Sequence, residues 1–369
     1  MAAGGPLLTV RDLRSYLSTR HGVVRAVDGV SFTLGEAEVL GIVGESGSGK
    51  SATCRSIVGL MPASTAHVSG EVIYHPHGGR NILTARQPEL QALRGAQLAM
   101  IFQDSMTALN PVLTVGDQLL EAVNAHASLT RAQARSQAIG LLERVGIPAP
   151  ARRMRDYPFQ FSGGMLQRAV IAIALASSPR LLLADEPTTS LDVIIQDQIL
   201  SLLLELQEDT GMSMILVSHD LAVISEVCDR IIVMYAGQVV EEGRAADVIT
   251  HPAHPYTQAL LDALPQAGER GLLRSIPGSP PSLIDVPDGC RFAERCPHAL
   301  GKCRTWDTEL LETSGLTGTS GVTETSGVTG TSGVTETSGL TGNGGRIETG
   351  GPGQLARCWR HDEVRRPQA

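Results

Sequence analysis

Three short segments of this sequence carry residue types that handle phosphate, divalent metal and water. Gly44-Glu45-Ser46-Gly47-Ser48-Gly49-Lys50-Ser51 has the spacing G-x-x-x-x-G-K-[ST], after an apolar run at Val39–Val43 and before a helix-forming stretch at Ala52–Leu60. Its glycines let the backbone wrap closely round phosphate oxygens, so that successive amides and the helix N-terminus point at negative charge. Lys50 supplies a point charge for the β- and γ-phosphates of ATP, and the Ser51 hydroxyl is a ligand for Mg²⁺. Leu181-Leu-Leu-Ala-Asp185-Glu186 is an apolar strand ending in two acids, at the strand end where α/β sheets place ligands. Asp185 is expected to hold Mg²⁺ through water, and Glu186 to polarise the attacking water as general base. His219, just past the apolar run Met214–Val217, is expected to touch the γ-phosphate and order that water.

The third segment is Phe161-Ser162-Gly163-Gly164-Met165-Leu166-Gln167-Arg168. Ser162 reads as an N-cap, and the two glycines leave amides uncovered at the start of a helix running to about Ala176. That makes a second anion site. One ATP needs a single phosphate cradle within a chain, so the second is offered to a partner.

These segments need a sheet to align them. From Leu7 to about Leu264 the chain alternates β-branched apolar runs with helix-period stretches, the pattern of an α/β domain. Val39–Val43, Leu98–Phe102, Leu181–Ala184, Met214–Val217 and Ile231–Met234 read as buried strands, apolar on both faces as a parallel sheet requires. Residues 111–160 read instead as a helical insert, with Leu119, Leu120, Ala122 and Val123, then Ile139, Leu141, Leu142 and Val145, near helical spacing. The texture changes near Ala267, where prolines begin to break every longer element. This divides the chain into a nucleotide-binding domain over 1–266 and a cysteine-rich extension over 267–369. Within the extension, 313–345 is dominated by five tandem six-residue units of the form TSG(V/L)T(G/E), expected to be disordered because so few apolar side chains cannot offset the ordering entropy.

A net charge of −8 argues against a free-standing grip on nucleic acid. The start of the chain lacks the basic-then-apolar pattern of a secretion signal, and apolar runs such as Ala169–Ala176 are too short to cross a membrane.

The loop at Gly44, Gln103 after Ile101-Phe102, Ser162-Gly163-Gly164, the acids at 185 and 186, Ser190-Leu191-Asp192 and His219, in that order, resemble the ATP-binding subunits of ABC transporters over about Leu7 to Leu264. The fold this implies is a P-loop ABC-type α/β ATPase domain: a mainly parallel core sheet, an N-terminal antiparallel β subdomain and a helical insert. The resemblance further implies that Tyr16 stacks on adenine, that Gln103 senses Mg²⁺ and the γ-phosphate, and that Asp192 belongs to a subunit-contacting loop. It assigns the segment holding Ser162, Gly163, Gly164, Met165 and Gln167 to ATP held by the opposite subunit. Met165 stands where the family usually has Gln, and Phe161 where Leu is common; neither change removes an amide or the serine hydroxyl.

Phe102–Gln118 and His251–Pro265 resemble the oligopeptide and dipeptide importer branch of that family. What this implies is a peripheral subunit on the cytoplasmic face of the membrane. It would join a second, related ATPase in a heterodimer and two membrane permeases, and an extracytoplasmic peptide-binding protein indirectly. Close relatives import nickel, glutathione or sugars, and a soluble ABC-type ATPase acting on DNA or ribosomes is the alternative from another class.

Cys290, Cys296, Cys303 and Cys358 cluster in the last quarter of the chain, whereas Cys54 and Cys228 sit singly in apolar patterns. In a reducing compartment such a cluster points to metal before disulfides. Four thiolates can hold tetrahedral zinc or a [4Fe–4S] cluster. Five and then six residues separate the first three, wider than the about two to four of a zinc knuckle, which suits the larger cluster better. The extension of the peptide-importer ATPases, which this tail resembles, implies the same cluster. His298 and His361 are possible substitute ligands. The repeat tract between Cys303 and Cys358 need not break the site, since closing a longer loop costs only about 0.6 kcal/mol per doubling.

Overall fold

The structure, a computed structural model of the chain, describes residues 5–76, 78–189, 191–264, 275–305, 311–312 and 354–358. The repeat tract 313–345, Ser190, His361 and the boundary near Ala267 lie outside the described residues.

The chain opens with two long antiparallel strands, β1 (Leu8–Thr19) and β2 (Gly22–Leu34), then β3 (Val39–Val43) and α1 (Lys50–Ile57). β4 (Ala66–Tyr74) and β5 (Arg80–Asn81) complete a four-stranded antiparallel sheet of order β2-β1-β4-β5. After α2 (Gln87–Leu93) and β6 (Leu98–Ile101) comes a helical stretch of α3 (Ser105–Ala108), α4 (Val115–Asn124), α5 (Arg131–Arg144) and α6 (Pro150–Arg153). α7 (Gly163–Ala174), β7 (Leu181–Asp185), α8 (Val193–Thr210), β8 (Ser213–Ser218) and α9 (Leu221–Val227) then alternate, followed by the hairpin β9 (Arg230–Tyr235) and β10 (Gln238–Arg244). Two short helices, α10 (Ala245–Thr250) and α11 (Pro255–Asp262), lead into the extension, which contributes β11 (Leu311–Glu312) and β12 (Leu355–Ala356).

The second sheet has the order β11-β12-β10-β9-β3-β8-β7-β6, parallel from β9 to β6. Its central strands are buried along their whole length, which is why they read as unbroken apolar runs. Side chains alternate across it. Leu182 and Ala184 join the core beneath α4, α5 and α7, while Leu181 and Leu183 join the core shared with β1, β2 and α1. Burying each of these leucines contributes roughly 1.5–3 kcal/mol. Within the insert, Leu119, Val123, Ala138 and Leu142 supply the inner faces of α4 and α5.

Local chemistry sets the helix starts. The hydroxyls of Thr114 and Thr130 cap α4 and α5, Ser162 caps α7, and Asp192 caps α8, whose last turn stops at Gly211 with φ 64°. The described part of the extension packs onto the nucleotide-binding domain. Ala356 pairs with Glu241 on the edge strand β10, and Phe292 lies in the main core.

Parallel register decides where the chemistry gathers. Val43 pairs with Ser218, and Asp185 pairs with Val217, so β3, β7 and β8 end side by side. The loop at Gly44, the acids after Ala184 and His219 therefore leave the sheet at one edge.

Candidate active site

At that edge lies a cleft of about 390 Å³ whose walls include Gly47, Lys50, Ser51, Gln103 and Glu186. Only glycine fits the phosphate loop at two of its positions. A Cβ on Gly49, at φ +103°, would stand 2.2 Å from the Ala26 carbonyl oxygen, and one on Gly44 2.2 Å from that of Met234. Lys50 is 4% exposed. Its ammonium donates to the carbonyls of Gly44 (2.8 Å) and Glu45 (3.1 Å) and stands 3.8 Å from Glu186 Oε1. Burial lowers its pKa, an effect opposed by Glu186 and Asp185.

Ser51 Oγ donates to Asp185 Oδ1 at 2.8 Å. The other carboxylate oxygen, Oδ2, is buried without a hydrogen-bond partner. Burial raises the pKa of Asp185 and outweighs the Ser51 hydrogen bond and the charges of Arg55 and Lys50, which act the other way. A hydroxyl and an orphan carboxylate oxygen side by side fit a hard divalent cation such as Mg²⁺.

Glu186 is held in a left-handed backbone conformation at φ +48°, a geometry that costs roughly 1–3 kcal/mol and persists where the surroundings over-determine it. Its Oε2 accepts from Gln103 Nε2 (2.9 Å) and Thr189 Oγ1 (2.9 Å), with His219 Nδ1 at 3.5 Å. Gln103, Asp185, Glu186 and His219, scattered over 117 positions, are thus gathered round one carboxylate pair. Thr189 is a site residue that the sequence does not mark, since a neutral hydroxyl three residues after Glu186 has no signature of its own.

Other expected residues stand apart. Tyr16 is absent from the cleft lining and donates its hydroxyl to Asp28 Oδ1 at 2.6 Å. Ser162 and Gly163 are exposed and also absent from that lining. Ser162 Oγ accepts from the Met165 amide at 3.4 Å, and Met165 packs its side chain against the core. Gln167 is 3% exposed, so it does not share the surface that Ser162 and Gly163 present. Asp192 is exposed and its carboxylate accepts from the Ile195 amide at 3.0 Å.

Cys290, Cys296, Cys303 and Cys358 line one small cavity of about 20 Å³ together with His254 and His298. The four cysteines expected as ligands thus border one cavity, but they are not gathered as a metal centre: among the described residues no group of three or more His, Cys, Asp or Glu side chains stands at metal-holding range. Room for about one water is also too little for a four-iron cluster without outward movement of the thiols.

Residues 27–189 match the ABC transporter family, and residues 240–303 match the family described as the oligopeptide/dipeptide transporter C-terminal region. A Sinorhizobium fredii protein described as a probable peptide ABC transporter ATP-binding protein is 50% identical over 81% of this chain and 89% of its own length. The oligopeptide transport ATP-binding protein OppD of Salmonella typhimurium is 46% identical, over 80% of this chain and 88% of its own. The dipeptide transport ATP-binding protein DppD of Bacillus subtilis is 48% identical, over 80% and 88%. Among solved structures, a dimeric ATP-binding cassette in a post-hydrolysis state with ADP and Pi superposes with a TM-score of 0.57 at 28% identity, covering 64% of this chain and 98% of the cassette.

Proposed function

The chain belongs to the ABC transporter ATP-binding family, in the branch that carries the oligopeptide/dipeptide C-terminal region, and on that premise we propose that it hydrolyses ATP to power import of oligopeptides or dipeptides. The observation that carries the reading is the convergence of Lys50, Ser51, Gln103, Asp185 and Glu186 at one edge of the sheet. Ser51 and Asp185 would hold Mg²⁺, which supplies charge neutralisation to the phosphates. Lys50 binds the β- and γ-phosphates from the loop side. Gln103 and Thr189 orient the Glu186 carboxylate so that it takes a proton from the attacking water, while His219 faces the same oxygen.

A second, related ATPase subunit completes each site with its own copy of the Ser162–Gly164 segment. The exposure of that segment, and its separation from the cleft of its own chain, supports this arrangement. Two membrane permeases complete the complex at the cytoplasmic face. Replacing Glu186 by Gln keeps the hydrogen bonds and removes the base, so ATP binding should persist while turnover of the assembled complex falls by about 10²–10⁴-fold. Turnover near the wild-type rate removes Glu186 from the mechanism.

In this reading the four cysteines would hold a soft metal centre, [4Fe–4S] before zinc, once their thiols move outward from the cavity that they border here. Anaerobically purified protein should then be brown and contain iron and sulfide. Zinc without iron overturns the cluster, and neither metal overturns the centre altogether.

A further inference from the structure

The turn between Cys290 and Cys296 plugs into the ATPase core. Phe292 is 1% exposed, edge-on to Tyr235 with ring centroids 5.2 Å apart and tilted against Tyr256 at 5.4 Å. Arg291 and Arg295, either side of it along the chain, are buried as well. Each reaches a carboxylate of the nucleotide-binding domain. Arg291 donates to Asp28 and to the carbonyl of Ala236, in the turn whose Gly237 amide holds Ser48 O of the phosphate loop at 2.9 Å. Arg295 grips both oxygens of Glu45, Nη1 to Oε2 at 2.7 Å and Nη2 to Oε1 at 3.0 Å. The guanidinium is itself fixed: Nε donates to Pro277 O at 2.9 Å and Nη1 to the Tyr235 hydroxyl at 3.1 Å.

Glu45 is the residue after the first glycine of the phosphate loop. Its amide donates to the Tyr256 hydroxyl at 2.8 Å, and its carbonyl accepts from Lys50 at 3.1 Å. A carboxylate on the loop that receives a triphosphate repels its ligand unless that charge is cancelled. Lys50 is engaged with Glu186 and the loop carbonyls, whereas Arg295 meets Glu45 with a planar two-point pair from a buried position.

We propose that Arg295, supplied by the C-terminal extension, is a positioning residue for ATP: it neutralises Glu45 and clamps the first turn of the phosphate loop. The proposal rests on the reading of the cleft as the ATP site. It assigns the cysteine-bearing turn a task in nucleotide binding whatever the thiols themselves hold.

The test is Mg·ATP titration of the full-length chain by calorimetry, with circular dichroism and melting temperature followed alongside. Arg295→Ala should weaken ATP binding about tenfold, and Glu45→Gln should tighten it severalfold by leaving an uncompensated guanidinium near the phosphates. The double variant should return to within about threefold of wild type, because removing both charges removes the repulsion. A purely structural role predicts that Glu45→Gln gives no such rescue, and that outcome overturns the proposal. Unchanged affinity in Arg295→Ala also overturns it. Should Arg295→Ala fail to fold, Glu45→Gln alone decides: tighter ATP binding supports charge compensation, and unchanged or weaker binding in that folded variant refutes it. Failure of the wild-type chain to bind ATP would refute the ATP-site reading instead.

Discussion

Asp185 has one carboxylate oxygen bonded to Ser51 and one buried without a hydrogen-bond partner, so a buried acceptor is left to offer a cation. Asp185→Asn keeps the shape and removes the charge that attracts Mg²⁺. The variant should need at least about tenfold more Mg²⁺ for half-maximal ATPase activity, read by Mg²⁺ titration at saturating ATP. Unaltered Mg²⁺ dependence would show that the orphan oxygen is not a ligand. Burial raises the carboxyl pKa of Asp185, so protons compete with the metal sooner than at an exposed aspartate, and the Mg²⁺ requirement should climb as pH falls. At this scale the sequence was readable wherever a residue acts through a local pattern: Lys50 and Ser51 by loop spacing, Asp185 and Glu186 by their place at a strand end. Thr189 and Arg295 were not, because a neutral hydroxyl in a turn and an arginine 250 positions from its partner carry no local signature.

Among the elements, the buried parallel strands were legible to within one residue at each end because both of their faces are covered, and unbroken apolar runs follow from that. Long-range pairing was not legible. Nothing in Gln354–Ala356 announces a strand, yet it pairs with β10, where Gln354 Nε2 donates to Glu241 at 2.7 Å. His251–Pro265, noticed in the sequence for its resemblance to peptide importers, proves also to brace the phosphate loop through Tyr256. That brace depends on a neutral histidine. His254 caps α11, its Nδ1 accepting from the Tyr256 amide at 3.0 Å, and it is 1% exposed. Burial pushes its pKa from 6.5 down to about 3. Between those values the unfolded chain binds a proton that the folded chain refuses, so stability falls as pH drops through 6.5. By pH 5.5 the loss from this group should be about 1.4 kcal/mol relative to pH 8. Buried Glu241, whose amide contacts with Ala253 and His254 adjoin the cap, has a raised pKa and acts in the opposite direction. The comparison is therefore between denaturation curves of wild type and His254→Asn, which keeps an acceptor and loses the titration. The variant should show a flatter pH dependence by that amount, and identical slopes would remove His254 as the cause.

At the scale of the whole molecule, the most exposed large apolar side chains among the described residues fall in two places. Val193 and Ile194, 82% and 72% exposed, follow Asp192 at the start of α8, whose Ile195 lies against Gly164 at the start of α7. The other place is on the helical insert, where Val112 and Phe159 are each 75% exposed, and Phe159 stacks on Tyr157 with ring centroids 5.6 Å apart. Backbone bonds from Val115 to Asp156 (2.9 Å) and from Gly116 to Met154 (3.1 Å) bring these two stretches together. They also lie next along the chain to the two kinds of site residue: Gln103, which lines the cleft, precedes one, and the exposed Ser162 segment, which does not, follows the other. An apolar surface joined to both half-sites is suited to carrying closure of the ATPase pair to a membrane subunit. Phe159→Ser removes an exposed ring, so the stability of the isolated chain should change by no more than about 0.5 kcal/mol and its ATP affinity not at all. In the assembled complex the same change removes an aromatic anchor, where truncation typically costs about 2 kcal/mol or more, roughly a thirtyfold loss of affinity. The ATPase should then co-purify with the permeases poorly and lose transport while its nucleotide binding stays intact. Full co-purification and transport by the variant would place the permease contact elsewhere on the molecule, and would leave the exposed Tyr157–Phe159 stack without a physical reason.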